Sequence, residues 1–144
     1  MSEGFPSIVV MTSRHLSVVI RRPADDVYAF AADPANLARW AGGLASAEVH
    51  REGDVLVADS PMGPVRIVFV ERNAYGVLDH DVTTPDGVTT HNPLRVLAHP
   101  DGSEVVFTLR QLAMSDGELD RDAGLVTSDL ERLRGILEER PGAS

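Results

Sequence analysis

Residues 115–140 read SDGELDRDAGLVTSDLERLRGILEER, and this stretch organises the reading of everything before it. Ser115-Asp116-Gly117-Glu118 has the form of a capping box. The Ser hydroxyl can accept from the amide three residues on, and Glu118 can reach back to the Ser115 amide. Leu119, Ala123, Val126, Leu130, Leu133 and Leu137 follow at steps of four and three, which draws one apolar stripe down a helix. Arg132, Arg134 and Arg140 lie toward its end, where cations suit the helix dipole, and Pro141-Gly142 stops it. Such a helix is roughly 35 Å long at ~1.5 Å per residue. One apolar face of that length requires a broad partner surface.

The chain upstream supplies short strands. His15–Ile20 alternates, with Leu16, Val18 and Ile20 on one face. Pro23 enters a short helix with Asp25 and Asp26 in its first turn and Val27, Phe30 and Ala31 on its apolar side. Asp33-Pro34 breaks that helix and caps a second one, Ala35–Trp40, which Gly42-Gly43 closes. Strand runs then follow at Ala45–Arg51, Val55–Asp59, Val65–Arg72, Val77–Thr84, Val88–His99 and Ser103–Leu112. Turn signals separate them about every 8–12 residues, the spacing of an antiparallel meander. The expected class is α+β: a curved, seven-stranded antiparallel sheet around a long C-terminal helix, with two short helices after the first strand.

Composition narrows the function classes. The chain has 144 residues, enough for one domain with a substantial core, and 43% of them are hydrophobic. A net charge of −9 disfavours nucleic acid and anionic membrane surfaces. All 13 basic residues are Arg. With no Cys, disulfides, thiolate metal sites and Cys nucleophiles are excluded. No apolar run approaches the ~20 residues of a membrane span, and the N-terminus lacks a signal-peptide pattern. A cytoplasmic location is expected.

The entry Val18-Val19-Ile20-Arg21-Arg22-Pro23-Ala24-Asp25-Asp26-Val27-Tyr28-Ala29-Phe30-Ala31-Ala32-Asp33-Pro34, followed by Leu37 and Trp40, resembles the opening of the START-related, polyketide cyclase-like superfamily (SRPBCC). The resemblance covers roughly residues 14–140. It implies a helix-grip fold with an apolar cavity between sheet and helix, in a bacterial setting. Residues 1–13 are then an N-terminal arm and 141–144 a tail. Members of the superfamily include lipid carriers, cyclases, hormone receptors and activators of a chaperone ATPase, so the resemblance fixes fold more firmly than function.

The turn Thr84-Pro85-Asp86-Gly87 sets a register. It reads as a type I turn with Gly87 left-handed, which places Val82 opposite Thr90, His80 opposite Asn92 and Leu78 opposite Leu94. Leu78, Val82, Leu94 and Val96 mark that face as the inner one, so His80 and Asn92 are polar groups on an apolar wall. Pro93 removes a ladder donor and either leaves this register or shifts it by one, pairing His80 with His91. Two roles are open for His80. It orients a ligand or moves a proton, as pocket groups do in cyclase-like relatives, or it is a buried His bonded to Asn92. On the opposite face, Asp81 with His91 and Asp79 with Arg95 read as solvent-side pairs. Because neighbouring strand residues point to opposite faces, Asp79 and Asp81 do not combine with His80 into a metal site.

The resemblance extends the candidate ligand-binding set. It comprises Trp40 near the cavity mouth, Met62 and Met114 at a rim, and Phe69, Leu78, His80, Asn92, Leu94 and Phe107 on the wall. His80 is the candidate catalytic residue; no metal or cofactor is expected. The partner is a small hydrophobic molecule, lipid-like or aromatic and polyketide-like, with homodimerisation left open. Three functions remain: a carrier or sensor of that molecule, a polyketide cyclase or dehydratase-like enzyme using His80, or a protein-interaction module like the chaperone activators. Gly124, inside the long helix, marks a tight approach to the sheet, room for ligand, or a neutral position.

Overall fold

The computed structural model describes residues 12–41, 49–60 and 63–139. β1 (Ser13–Ile20) leads into α1 (Ala24–Ala31) and α2 (Pro34–Trp40). The strands β2 (Val49–Glu52), β3 (Val55–Ser60), β4 (Gly63–Phe69), β5 (His80–Thr83), β6 (Thr89–Asn92), β7 (Leu94–His99) and β8 (Gly102–Arg110) follow, and α3 (Asp116–Glu139) ends the described chain. The helical entry forms as its residues dictate. The Asp33 carboxylate accepts from the Ala35 amide at 3.0 Å and caps α2, with Pro34 in the first turn. Gly42-Gly43, Ala45 to Glu48, Pro61-Met62 and the stop signal after Glu139 lie outside the described residues.

In place of the expected single seven-stranded sheet, the described residues form eight strands in two sheets. Two antiparallel sheets are present, of order β1-β8-β7 and β2-β3-β4-β5-β6. The run expected as one strand, Val88–His99, is divided at Pro93 into β6 and β7, because proline has no amide to give the ladder. The register nevertheless carries across the break. His80 faces Asn92, Asp81 faces His91 and Val82 faces Thr90 on one side of it. On the other side Val77 bridges Arg95, and the Leu78 amide donates to the Leu94 carbonyl at 2.8 Å. No one-residue slip occurs. The turn behaves as its residues predict: Gly87 has φ +87, the Gly87 amide donates to the Thr84 carbonyl, and the Thr84 amide to the Val88 carbonyl.

α3 has 24 residues and begins with the expected capping box. The Glu118 amide donates to Ser115 Oγ at 3.2 Å, and the Ser115 amide to the Glu118 carboxylate at 3.0 Å. Its stripe packs chiefly on β1 and also meets β8 and α2. Leu130, Leu133 and Leu137 are 2%, 0% and 1% exposed, each burial stabilising by about 2 kcal/mol. With Val18, Ile20, Phe30, Trp40, Leu94 and Val105 they form the main core. Leu119 and Ala123 form a smaller cluster with Leu109, against which Leu16, Phe107 and Met114 pack.

One expectation for α3 is corrected, and the three readings of Gly124 are narrowed. Arg132 and Arg134 do not serve the last turn, which has no basic residue among the described positions. Arg132 instead donates to the Trp40 carbonyl at 3.0 Å and ties α3 to the end of α2, while Arg134 pairs with Glu131. Gly124 is exposed and a Cβ there would meet nothing within 4 Å, so it marks no tight approach to the sheet.

Candidate functional site

The site is built on the inner faces of β4, β5 and β6. Alternation along β4 turns Ile67 and Phe69 inward, and β4 pairs with β5 so that Phe69 faces His80. The two rings stack, with centroids 4.8 Å apart and planes 25° from parallel. The ring of Phe107 in β8 is 6.2 Å from that of His80, tilted by 56°. An aromatic row thus crosses from the five-stranded sheet to the three-stranded one, with His80 in the middle. Phe69, His80, Val82, Thr90, Asn92 and Phe107 are all half-buried. Leu78 and Leu94, next on the same face, are 3% and 1% exposed and belong to the packed core.

His80 is held in a defined state. Its Nδ1 lies 3.0 Å from the Leu78 carbonyl oxygen, which can only accept, so Nδ1 carries the proton and Nε2 keeps its lone pair. Burial is the largest influence on its pKa and pushes it below the ordinary histidine value; the bond to Leu78 and the charges of Asp79 and Asp81 oppose this. Asn92 faces His80 in register, but the hydrogen-bond partner of the ring is Leu78 and not Asn92. Among the described residues Nε2 makes no hydrogen bond, and the His80 side chain is half-buried.

A cleft of about 460 Å³ opens beside this row, where the α1–α2 junction meets the ends of β3 and β4. Leu37, Leu56 and Phe69 are its apolar inner lining, and Arg51, Asp54, Glu71 and Arg72 stand at its mouth with Asp33. Of the residues anticipated from sequence, Phe69 lines the cleft; His80 and Phe107 lie outside its lining, joined to it only by the ring contacts of the row, and Asn92 lies outside it as well. Trp40 is 6% exposed in the main core, and its Nε1–H has no partner among the described residues. Met114 packs against the small cluster at the start of α3. Met62 lies outside the described residues.

The outer face of the same strands holds a feature that the sequence reading underestimated. Asp79, expected to be solvent-side, is only 8% exposed. Its carboxylate accepts from the Leu94 amide at 2.9 Å and from Arg95 through Nε and Nη2 at 2.8 and 2.7 Å. Arg95 holds its pKa below the ordinary aspartate range, more strongly than burial raises it. The backbone carbonyl of Asp79 also accepts from the Val70 amide at 3.0 Å. One residue therefore ties β4 to β7 at the point where Pro93 interrupts the ladder. The register already placed Asp79 opposite Pro93; a missing amide there is the signal that a side chain would take over. Asp81 and His91 pair at 2.7 Å with both side chains half exposed, as expected of a solvent-side pair.

The comparisons with known proteins agree with this architecture. A family model described as polyketide cyclase / dehydrase and lipid transport matches residues 11–138. The chain belongs to this family. Its likeness to solved structures confirms the helix-grip fold that the family shares. CV1439 from Chromobacterium violaceum is 13% identical, with a TM-score of 0.65 over 89% of this chain and 99% of that one. DynU16, from the dynemicin biosynthetic locus, is 14% identical, with a TM-score of 0.68 over 88% of this chain and 47% of its own. Ara h 8.0201 is 11% identical, with a TM-score of 0.65 over 91% and 100%. No curated protein matches the chain. Membership in this polyketide cyclase and lipid-transport family supports hydrophobic-ligand binding in general. Among the described residues no helix is long and apolar enough to cross a membrane.

Proposed function

We propose that the protein binds a small hydrophobic molecule between the five-stranded sheet and the helices, as a carrier or sensor. The observation that carries this reading is the half-buried inner wall. Side chains whose strand positions turn them inward, from Phe69 through His80 to Phe107, keep access to solvent while Leu78 and Leu94 beside them are sealed. A filled core would seal both sets alike. Among the described residues the exposed large apolar side chains do not argue for a separate protein-docking face: Val68 and Val70 are neighbours and line the cleft, while Tyr75, Val88, Leu97, Leu112 and Leu125 sit in different loops and elements.

The test is a titration with N-phenyl-1-naphthylamine, a neutral dye that brightens in apolar surroundings. One saturable site is expected. Val82→Trp, which adds bulk on the half-buried wall, should weaken binding about tenfold with little change in melting temperature. Equal binding by this variant would place the dye elsewhere and sink the reading.

His80 favours a second reading, in which the same cavity does carbonyl chemistry. A neutral imidazole with a free Nε2 can take a proton from the carbon beside a ligand carbonyl. The resulting enolate attacks a second carbonyl, and the imidazolium returns the proton to the new alkoxide. Deuterium exchange at the methyl group of 2-acetylnaphthalene reports the first step. His80→Ala should slow protein-catalysed exchange by about 100-fold; an unchanged rate removes His80 from the chemistry and leaves the carrier.

A further inference from the structure

We infer that the ligand is a neutral, ring-bearing molecule with a hydroxyl group that donates to His80 Nε2, and that anionic lipids are disfavoured. The inference rests on the cavity reading and adds the ligand's chemistry. The Leu78 carbonyl fixes the proton on His80 Nδ1, so the edge of the ring left open offers only an acceptor. A hydroxyl can donate to it, whereas a carboxylate would set lone pair against lone pair. The ring already lies beside Phe69 and Phe107, which prefer a flat apolar neighbour. None of the half-buried wall residues His80, Val82, Thr90, Asn92, Phe69 and Phe107 is a cation that could receive an anion.

The cleft, which meets this wall at Phe69, has a mouth of the same character. Arg51 and Arg72 stand there against three carboxylates, Asp33, Asp54 and Glu71. Arg51 Nε already donates to the Gly53 carbonyl at 3.0 Å, and the Arg72 guanidinium lies 5.9 Å from the Tyr28 ring centre. An anion approaching this mouth, on a chain of net charge −9, meets net repulsion.

The experiment compares three probes on one ring system by calorimetry near neutral pH: 2-naphthol, 2-methoxynaphthalene and 2-naphthoate. 2-Naphthol should bind about tenfold tighter than its methyl ether, the worth of one well-placed hydrogen bond, and 2-naphthoate weakest of the three. In His80→Phe, which keeps a flat ring but removes the lone pair, 2-naphthol should lose its advantage over the ether, and the ether should still bind saturably. The ether then also reports that the variant is folded. Should His80→Phe fail to fold, the wild-type ranking decides, together with the shift of the His80 Nε2 nitrogen resonance on adding 2-naphthol. Naphthoate binding as tightly as naphthol, or ether equal to naphthol, overturns the inference and leaves the cavity standing. If none of the three binds saturably, the cavity reading falls and takes the inference with it.

Discussion

Asp79, just before β5, and Pro93, at the break between β6 and β7, stand opposite each other in register, and each explains the other. Pro93 offers no amide, and the Asp79 carboxylate bonds instead to the next amide, Leu94, and to the Arg95 fork. Removing that carboxylate leaves a buried amide without its acceptor, so Asp79→Ala should cost about 2 kcal/mol in a urea melt. The charge matters separately. Because Arg95 depresses the folded-state pKa of Asp79, its stabilisation is complete above the ordinary aspartate range and is lost as pH falls through the lower folded value. Asp79→Asn should therefore flatten the acid end of the stability curve; an unchanged acid limb would assign that limb to other carboxylates. His80 acts in the same direction at higher pH. Burial lowers its pKa, so the unfolded chain takes up a proton where the folded chain does not. Its contribution is complete above about pH 6.5 and declines as pH falls below that value. His80→Phe should weaken the pH dependence between neutrality and mild acid, read from thermal melts across that range. The inward turn of His80 was legible in the sequence because the turn at Gly87 sets a parity that every later residue inherits. The burial of Asp79 was not, because parity names a face and does not say what covers it.

At the scale of elements, the local signals held where one residue sets the geometry. Ser115 and Glu118 start α3, Asp33 starts α2, and Thr84 to Gly87 set the β5–β6 register. Pro93 changed the strand count without moving the register, because the ladder on either side of it is bonded in the same phase. Two glycines separate a helix effect from a packing effect. A Cβ at Gly124 meets nothing within 4 Å, so Gly124→Ala should raise stability by about 0.5–1 kcal/mol through helix propensity. At Gly76, φ is +73 and a Cβ would lie 2.2 Å from the Val96 carbonyl oxygen, across a bond that joins the β4–β5 connection to β7. Gly76→Ala should cost about 2 kcal/mol or more. Paired denaturant melts check both signs, and equal effects would mean that the strand junction yields.

In the whole molecule, the long helix packs chiefly on β1; on the inner face of the five-stranded sheet Leu56, Ala58 and Ile67 are sealed in the core, while Phe69, His80, Val82, Thr90 and Asn92 stay half-buried. The family match and the helix-grip fold account for that arrangement. The sequence pattern foretold a wall with His80 on it. It did not foretell that the cleft opens at the α1–α2 junction beside Leu37 and Leu56. That position depends on how helices and strand ends far apart in sequence meet, which no local pattern encodes. If a small apolar molecule rests against the Phe69–His80–Phe107 row, intermolecular NOEs between N-phenyl-1-naphthylamine and isotope-labelled protein will report it. Contacts are expected from dye protons to the rings of Phe69, His80 and Phe107 and to the Val82 methyls. Contacts only to outer side chains such as Leu97 and Leu125, or no saturable complex, would contradict this placement.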